Sequence, residues 1–302
     1  MTTTNPALSL QTKGKSKSAL LYSLGEPRTL LSALLTIVAV ALSVLALVPL
    51  FSVLWMLIVR GASQLSPALF VELTPGAGML DGGIGNAIVG TIIIALLAML
   101  LSLPLGFLAG VYLAEYGGNS KLATSVRFAG KVLTGLPSIL AGVFGYAVVV
   151  VTTGRFSALA GGVAMGVLMV PTVMLTAEQA LRSVPQKMKL AAHGMGATHA
   201  EVVLKVVVPT AMPGILTGVM LALARAMGET APLLFTALFS DYWFEGKLGE
   251  PIASLAVLIY NFSGSPFENQ IQLAWAASLV LVVMVLVLNV AAQIVTRRPK
   301  EH

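Results

Sequence analysis

Six apolar runs follow one another along the chain, separated by polar stretches: Leu30 to Val59, Ala87 to Ala114, Val132 to Thr153, Ala158 to Thr176, Gly214 to Phe239 and Gln272 to Val295. A helix rises about 1.5 Å per residue, so about 20 apolar residues cross a hydrocarbon core of about 30 Å. In lipid, a helix is the form in which each such segment satisfies its own backbone polar groups. The pattern predicts an all-α integral membrane protein with six transmembrane helices. Pro49, Pro104, Pro137, Pro171 and Pro232 lie within or near these runs and predict kinks. The run beginning at Leu30 is too long for the core of a signal peptide and is predicted to stay in the mature protein.

Composition agrees with a membrane solvent, since 57% of the 302 residues are hydrophobic and 10% charged, against about 45–50% and about 25% in soluble domains. The net charge of +6 would suggest nucleic acid in a soluble protein. Here the positive residues sit in the connections, where they report topology, and nucleic acid is discounted. With the N-terminus in the cytoplasm, Lys13, Lys15, Lys17, Arg28, Lys121, Arg127, Lys131, Arg182, Lys187, Lys189, Lys205, Arg297, Arg298 and Lys300 fall on the inner side. Arg60, Arg155 and Lys247 fall on the outer side, and fourteen against three puts both termini in the cytoplasm. Trp55, Trp243 and Trp275 then lie at or beyond the outer interface, where amphipathic rings are favoured. Residues 1–29 form a polar cytoplasmic segment, and 30–302 the transmembrane domain. The absence of cysteine excludes disulfides, thiol catalysis and thiolate metal sites.

Two connections are long. The inner stretch from Leu181 to Pro213 is basic yet carries an ordered apolar pattern, which predicts a docked helical element. The outer stretch from Ser240 to Ile271 mixes Asp241, Glu245, Glu250 and Glu268 with Tyr242, Trp243, Phe244 and Phe267. It reads either as a partner-binding surface or as a solvated loop.

The candidate chemistry lies in the fifth run, Ala224-Arg225-Ala226-Met227-Gly228-Glu229-Thr230-Ala231-Pro232-Leu233-Leu234. An arginine at mid-membrane costs about 2.5–3.5 kcal/mol on insertion scales, so such charges face a protein interior or a water-filled cavity. Arg225 and Glu229 are one helical turn apart and share a face. A guanidinium fork matches two oxygens of a phosphate, and a neighbouring carboxylate can compete for it and help release the anion. The alternative is a buried ion pair that fixes helix register. Gly135, Pro137 and Ser138, at the start of the third run, can interrupt the helix and offer backbone or hydroxyl donors to a cavity. Small residues also serve ordinary helix packing. His193, His199 and Glu201 have no recognised metal-ligand spacing, and no metal is assigned. No Gly-x-x-x-x-Gly-Lys-Ser/Thr loop is present, so any ATP is hydrolysed by another chain. This chain alone is not expected to be an enzyme.

In the inner stretch, Leu190-Ala191-Ala192-His193-Gly194-Met195-Gly196-Ala197 leads to Val206-Val207-Val208-Pro209. The spacing resembles the signature of ABC importer permeases: Glu-Ala-Ala, three residues, Gly, nine residues, Ile, any residue, Leu-Pro. Ala191, Ala192, Gly196 and Pro209 match, and Leu190 stands where that family usually has Glu. The Arg-Ala-x-Gly-Glu-Thr-Ala-Pro-Leu run, with Leu133 to Phe144, is similar to phosphate permeases of the PstA type. The resemblance runs from about Gly85 to the end of the chain.

The resemblance implies a type I ABC importer permease fold, with a coupling helix at Leu190, Ala191, Ala192, Gly196 and Pro209. It implies a substrate path through Arg225, Glu229, Thr230 and Ser138. The implied partners are a second, related but non-identical permease chain, a dimeric cytoplasmic P-loop ATPase carrying ATP and Mg, and an extracytoplasmic phosphate-binding protein. No cofactor is expected on this chain. Three rival readings stay open: a permease for molybdate, sulfate or phosphonate, an ion-coupled secondary transporter using Arg225 and Glu229 as a charge relay, and a non-transporting membrane scaffold.

Overall fold

The computed structural model describes residues 27–79 and 81–296. Most of the predicted polar segment 1–29, with Lys13, Lys15 and Lys17, lies outside the described residues, as do the Arg28 side chain and Arg297, Arg298 and Lys300. Among the described residues the secondary structure is entirely helical. In chain order the helices are α1 Pro27–Ala62, α2 Pro67–Val71, α3 Gly85–Val111, α4 Lys121–Thr134, α5 Ser138–Gly145, α6 Val151–Thr153 and α7 Ala158–Arg182. They continue with α8 Gln186–Gly194, α9 His199–Val202, α10 Val208–Met227, α11 Ala231–Leu234, α12 Leu255–Ser263 and α13 Glu268–Thr296. Three π turns are built into them: Tyr112–Tyr116 extends α3, Tyr146–Val150 joins α5 to α6, and Val203–Val207 joins α9 to α10.

Among the described residues, five helical stretches are long and apolar enough to cross a membrane: Leu30–Ala62, Gly85–Tyr116, Ala158–Arg182, His199–Met227 and Glu268–Ile294. A sixth crossing is counted when α4 and the Ser138–Thr153 stretch are taken together, though these meet at 103°. The chain to Leu54 and the chain from Trp55 onward are separate compact units. The first is the greater part of α1, whose apolar side chains from Leu30 to Val53 are exposed, as expected of a surface offered to an apolar solvent.

The second unit is organised around α7. Glycines four apart lie on one helix face and allow backbones to approach closely, which supplies contact where lipid removes the hydrophobic drive between helices. On α3, a Cβ at Gly106 or Gly110 would fall 2.8 Å from Val173 or 2.7 Å from Ala177 of α7. On α7, a Cβ at Gly162 or Gly166 would fall 2.6 Å from Leu97 or 2.7 Å from Leu101 of α3. Gly214 and Gly218 of α10 meet Ala180 and Thr176 in the same way.

Two predicted runs have different bounds. The third, Val132 to Thr153, is divided: Val132 to Thr134 end α4, and the membrane-facing helix starts afresh at Ser138. Pro137 lacks an N–H and disfavours helical backbone at the preceding residue, so the chain turns there. The fifth, Gly214 to Phe239, starts earlier and stops sooner. A capping box opens α9, with the Glu201 N–H donating to Thr198 Oγ1 at 3.3 Å and the Thr198 N–H donating to Glu201 Oε2 at 3.1 Å. Pro209 is tolerated because the π turn just before it already gives up the regular hydrogen-bond ladder. The helix then ends at Met227, and Pro232 lies in the first turn of the separate α11.

The connection predicted from Leu181 to Pro213 therefore shrinks to residues 183–198 and holds α8, the helical element the pattern predicted. Within the outer stretch Ser240 to Ile271, the structure places a buried helix, α12. Its Leu255, Leu258 and Phe262 form a core with Leu69, Ile84, Ala87 and Ala276, and the Leu255 N–H donates to Thr91 Oγ1 at 2.8 Å.

Candidate functional site

Arg225 occupies the last turn of α10, where a cation is favoured by the negative end of the helix dipole. Glu229 lies just beyond the helix end, its N–H donating to the Ala226 carbonyl at 3.0 Å. The pair forms as the spacing predicted, but loosely, with Arg225 Nε and Glu229 Oε1 3.7 Å apart. The Arg225 side chain is 63% exposed and that of Glu229 23%.

Around this pair are Leu133, Thr134 and Leu136 from the α4–α5 break, Leu168, Met169 and Thr172 from α7, and Ala222 and Ala226 from α10. Leu168 to Thr172 are the middle of the 25-residue α7, so Arg225 lies at mid-depth of the bundle. The interruption expected at Gly135 to Ser138 and the break after Met227, where only a kink near Pro232 was expected, are thus brought to one place. The space enclosed is about 20 Å³, enough for a water molecule but not for a tetrahedral oxyanion.

Ser138 and Thr230 are placed less directly. Ser138 begins α5 and is half-buried, and Thr230 precedes α11, its carbonyl accepting from the Leu233 N–H at 3.1 Å. Neither is among the residues surrounding the pair, although their neighbours Leu136 and Glu229 are. Beyond the breaks, α5 and α11 pack together, and a Cβ on Gly142 would fall 2.7 Å from Pro232 Cα.

The α8 motif forms a second site. Ala192 is buried, whereas Leu190 is 60% exposed, Met195 84%, and Met188 also faces outward. Gly196 adopts φ +88°, a left-handed conformation that glycine takes without strain, and thereby reverses the chain. A Cβ on Gly194 or Gly196 would meet nothing within 4 Å, so the turn presents bare backbone. Pro209 lies within the following membrane helix. Leu190, where the signature usually has Glu, makes no inward contact of the kind its neighbour does. Lys189 Nζ donates to Glu115 Oε1 at 2.6 Å, and both side chains are largely buried.

Sequence reasoning missed the charges near α8. Arg127 Nε donates to Glu178 Oε1 at 2.6 Å, and Arg182 Nη2 lies 3.0 Å from the same oxygen. Arg127, Arg182 and Lys189 had been weighed only as topology signals, and Glu178 had fallen just outside the fourth run. The four-residue spacing of Glu178 and Arg182 was the one signal available for this cluster. No group of three or more histidine or acidic side chains able to hold a metal ion occurs among the described residues.

At the opposite end, Thr74 Oγ1 donates to Asp241 Oδ1 at 3.3 Å, and Asn86 Nδ2 donates to the Ser240 carbonyl at 3.0 Å. Tyr242 and Trp243 remain exposed. Glu245, by hydrogen bond and charge, and Glu250 hold the Lys247 ammonium above its ordinary pKa. The Arg60 guanidinium lies 5.3 Å from the centre of the Trp275 ring.

Comparison with known proteins agrees with this architecture. The profile of a family described as binding-protein-dependent transport system inner membrane component matches residues 102–301. The phosphate transport system permease protein PstA of Yersinia pestis is 41% identical over 254 residues, covering 83% of this chain and 86% of that one. A probable phosphate transport system permease protein PstA of Methanocaldococcus jannaschii is 37% identical over 250 residues, 83% and 88% of the two chains. Among solved structures, an inward-facing MetNI methionine ABC transporter gives a TM-score of 0.55 at 23% identity, over 71% of this chain and 93% of that one. That is a likeness of fold.

Proposed function

Because the chain belongs to the family of binding-protein-dependent transport system inner membrane components, we propose that it is the multi-pass permease subunit of an ATP-driven importer that carries inorganic phosphate across the cytoplasmic membrane. Relatives named as phosphate permeases support the substrate over most of both lengths. The observation that carries the mechanism is Arg225, 63% exposed at the depth of the middle of α7. A guanidinium facing lipid there would be costly, so its open side belongs against a water-filled seam with another chain.

That seam is the place for a second permease subunit. Arg225 supplies a planar fork for two phosphate oxygens, and Glu229, standing 3.7 Å away, competes with the anion for the same donors. Competition keeps binding reversible. The closed chamber must widen to admit phosphate, and alternating access does this when a partner's nucleotide cycle moves the permease.

The exposed apolar side of α8, with the bare turn at Gly194 and Gly196, is the docking point for a dimeric P-loop ATPase that carries ATP and Mg. No cofactor is assigned to this chain. Lys187 and Lys189 of α8, with Lys121 at the start of α4, support a cytoplasmic position for the α8 connection, because basic residues are enriched in cytoplasmic connections. The opposite end, with Trp243 and Trp275, receives phosphate from an extracytoplasmic binding protein.

The test is labelled-phosphate uptake by the complete assembly in liposomes. Removing a bidentate, charge-assisted contact worth about 1.5–3 kcal/mol per hydrogen bond predicts that Arg225→Ala lowers uptake by on the order of 10²-fold. Assembly with the partner subunits is expected to be unchanged. Uptake close to wild type would remove Arg225 from the path, and inhibition by unlabelled sulfate or molybdate equal to that by phosphate would remove the assigned substrate.

A further inference from the structure

The π turn at Tyr112–Tyr116 changes the hydrogen bonding at the end of α3. In a regular helix the Gly117 N–H would donate to Leu113, but here it donates to the Tyr112 carbonyl at 2.6 Å. The Leu113 carbonyl is released, and it accepts from Arg127 Nη2 at 2.7 Å and Arg182 Nη2 at 3.3 Å. These are the two arginines that hold Glu178 of α7. Arg127 Nη1 also donates to the Gly118 carbonyl at 3.2 Å. One residue pair along the same turn, Glu115 takes the ammonium of Lys189 from α8, and the Tyr116 ring meets His199 edge-on at 5.0 Å. Leu113 itself is buried with Ala123 and Met174.

The turn is therefore tied to α8 through the Glu115 side chain, and to α4 and α7 through bonds from Arg127 and Arg182 to its Leu113 carbonyl. Arg127 is also the point where α4 is anchored. Seven residues further on, about 10 Å of helix, α4 delivers Leu133 and Thr134 to the wall of the Arg225 chamber and then breaks. We infer that Glu115, Lys189, Arg127, Glu178 and Arg182 are positioning residues that carry displacement of α8 through the π turn to α4, and so to the chamber wall at Leu133 to Leu136. This rests on the importer reading above. It assigns the linkage to a buried ionic junction rather than to position 190, where leucine faces outward.

The measure is phosphate moved per ATP hydrolysed by the complete assembly in liposomes, with binding protein present. Wild-type uptake is measured first, so failure of the phosphate reading shows there and failure of the linkage shows only in the variants. Glu115→Gln keeps the side-chain shape and removes the charge. Its expected effect is a drop in phosphate per ATP on the order of tenfold, the size of one lost charge-assisted hydrogen bond. ATPase association and hydrolysis rate are expected to stay within about twofold. Exchanging the partners, Glu115→Lys with Lys189→Glu, is expected to restore most of the ratio, which a merely structural defect would not permit. An unchanged ratio in Glu115→Gln, a fall of uptake and hydrolysis in step, or an exchanged pair no better than the single variant would each overturn the inference.

Discussion

Two groups of charges in this chain obey opposite rules. The Arg225–Glu229 pair is open, with a gap of 3.7 Å and most of the guanidinium exposed. The junction beside α8 is closed, with Glu115–Lys189 and Arg127–Glu178 each at 2.6 Å and all three guanidinium nitrogens of Arg127 engaged. A membrane protein keeps a charge either because it is fully partnered or because its partner arrives from outside. The closed group is built to hold and the open one to exchange. The difference is geometric, since both use arginine and glutamate.

The largest effect that would break the contrast is on the closed side. Glu178→Ala leaves the largely buried Arg127 without its carboxylate, while Arg182 is half exposed, and removing one partner of a buried pair costs about 3–5 kcal/mol. Thermal unfolding in detergent should show the loss. A melting temperature equal to wild type would mean that the junction is not a structural fastener. On the open side, Arg225→Lys retains the charge but loses the planar fork. Phosphate uptake should fall about tenfold, roughly one charge-assisted hydrogen bond, while the melting temperature stays put. Equal loss in both assays would erase the distinction between the two groups.

The smallest effect is expected at the outer end. Lys247 is held protonated by Glu245 and Glu250. A raised pKa means that its contribution is complete below the ordinary lysine value of about 10.4 and fades only as pH rises past the folded value. Its ion pairs are exposed and screened. Lys247→Ala should leave melting temperature and uptake unchanged near neutral pH, and a clear fall in uptake would show that the outer loop uses this charge for contact.

Hydropathy located the five helical stretches long and apolar enough to cross a membrane among the described residues, because length and apolarity are additive along the chain. It could not distinguish a kinked span from a broken one at Gly135 to Pro137, since both have the same composition. The π turns escaped for a similar reason: Tyr112 to Tyr116 is a helix-like sequence whose register slips by one residue. Arg225 and Glu229 were legible because they are close in sequence and out of place in an apolar run. Glu115 and Lys189 were not, being 74 positions apart and each ordinary at the end of a helix. The motif around Ala191, Ala192 and Gly196 marked α8, but which of its residues faced inward required the fold.

The contact of Gly142 with Pro232 has a consequence for how the protein opens. Where two short helices touch backbone to backbone, no side chain lies between them to act as a bearing, and dense interiors transmit displacement with little give. The pieces following the two interruptions, α5 and α11, therefore behave as a single leaf. Any opening beside such a leaf would have to shift both helices together or prise their backbones apart.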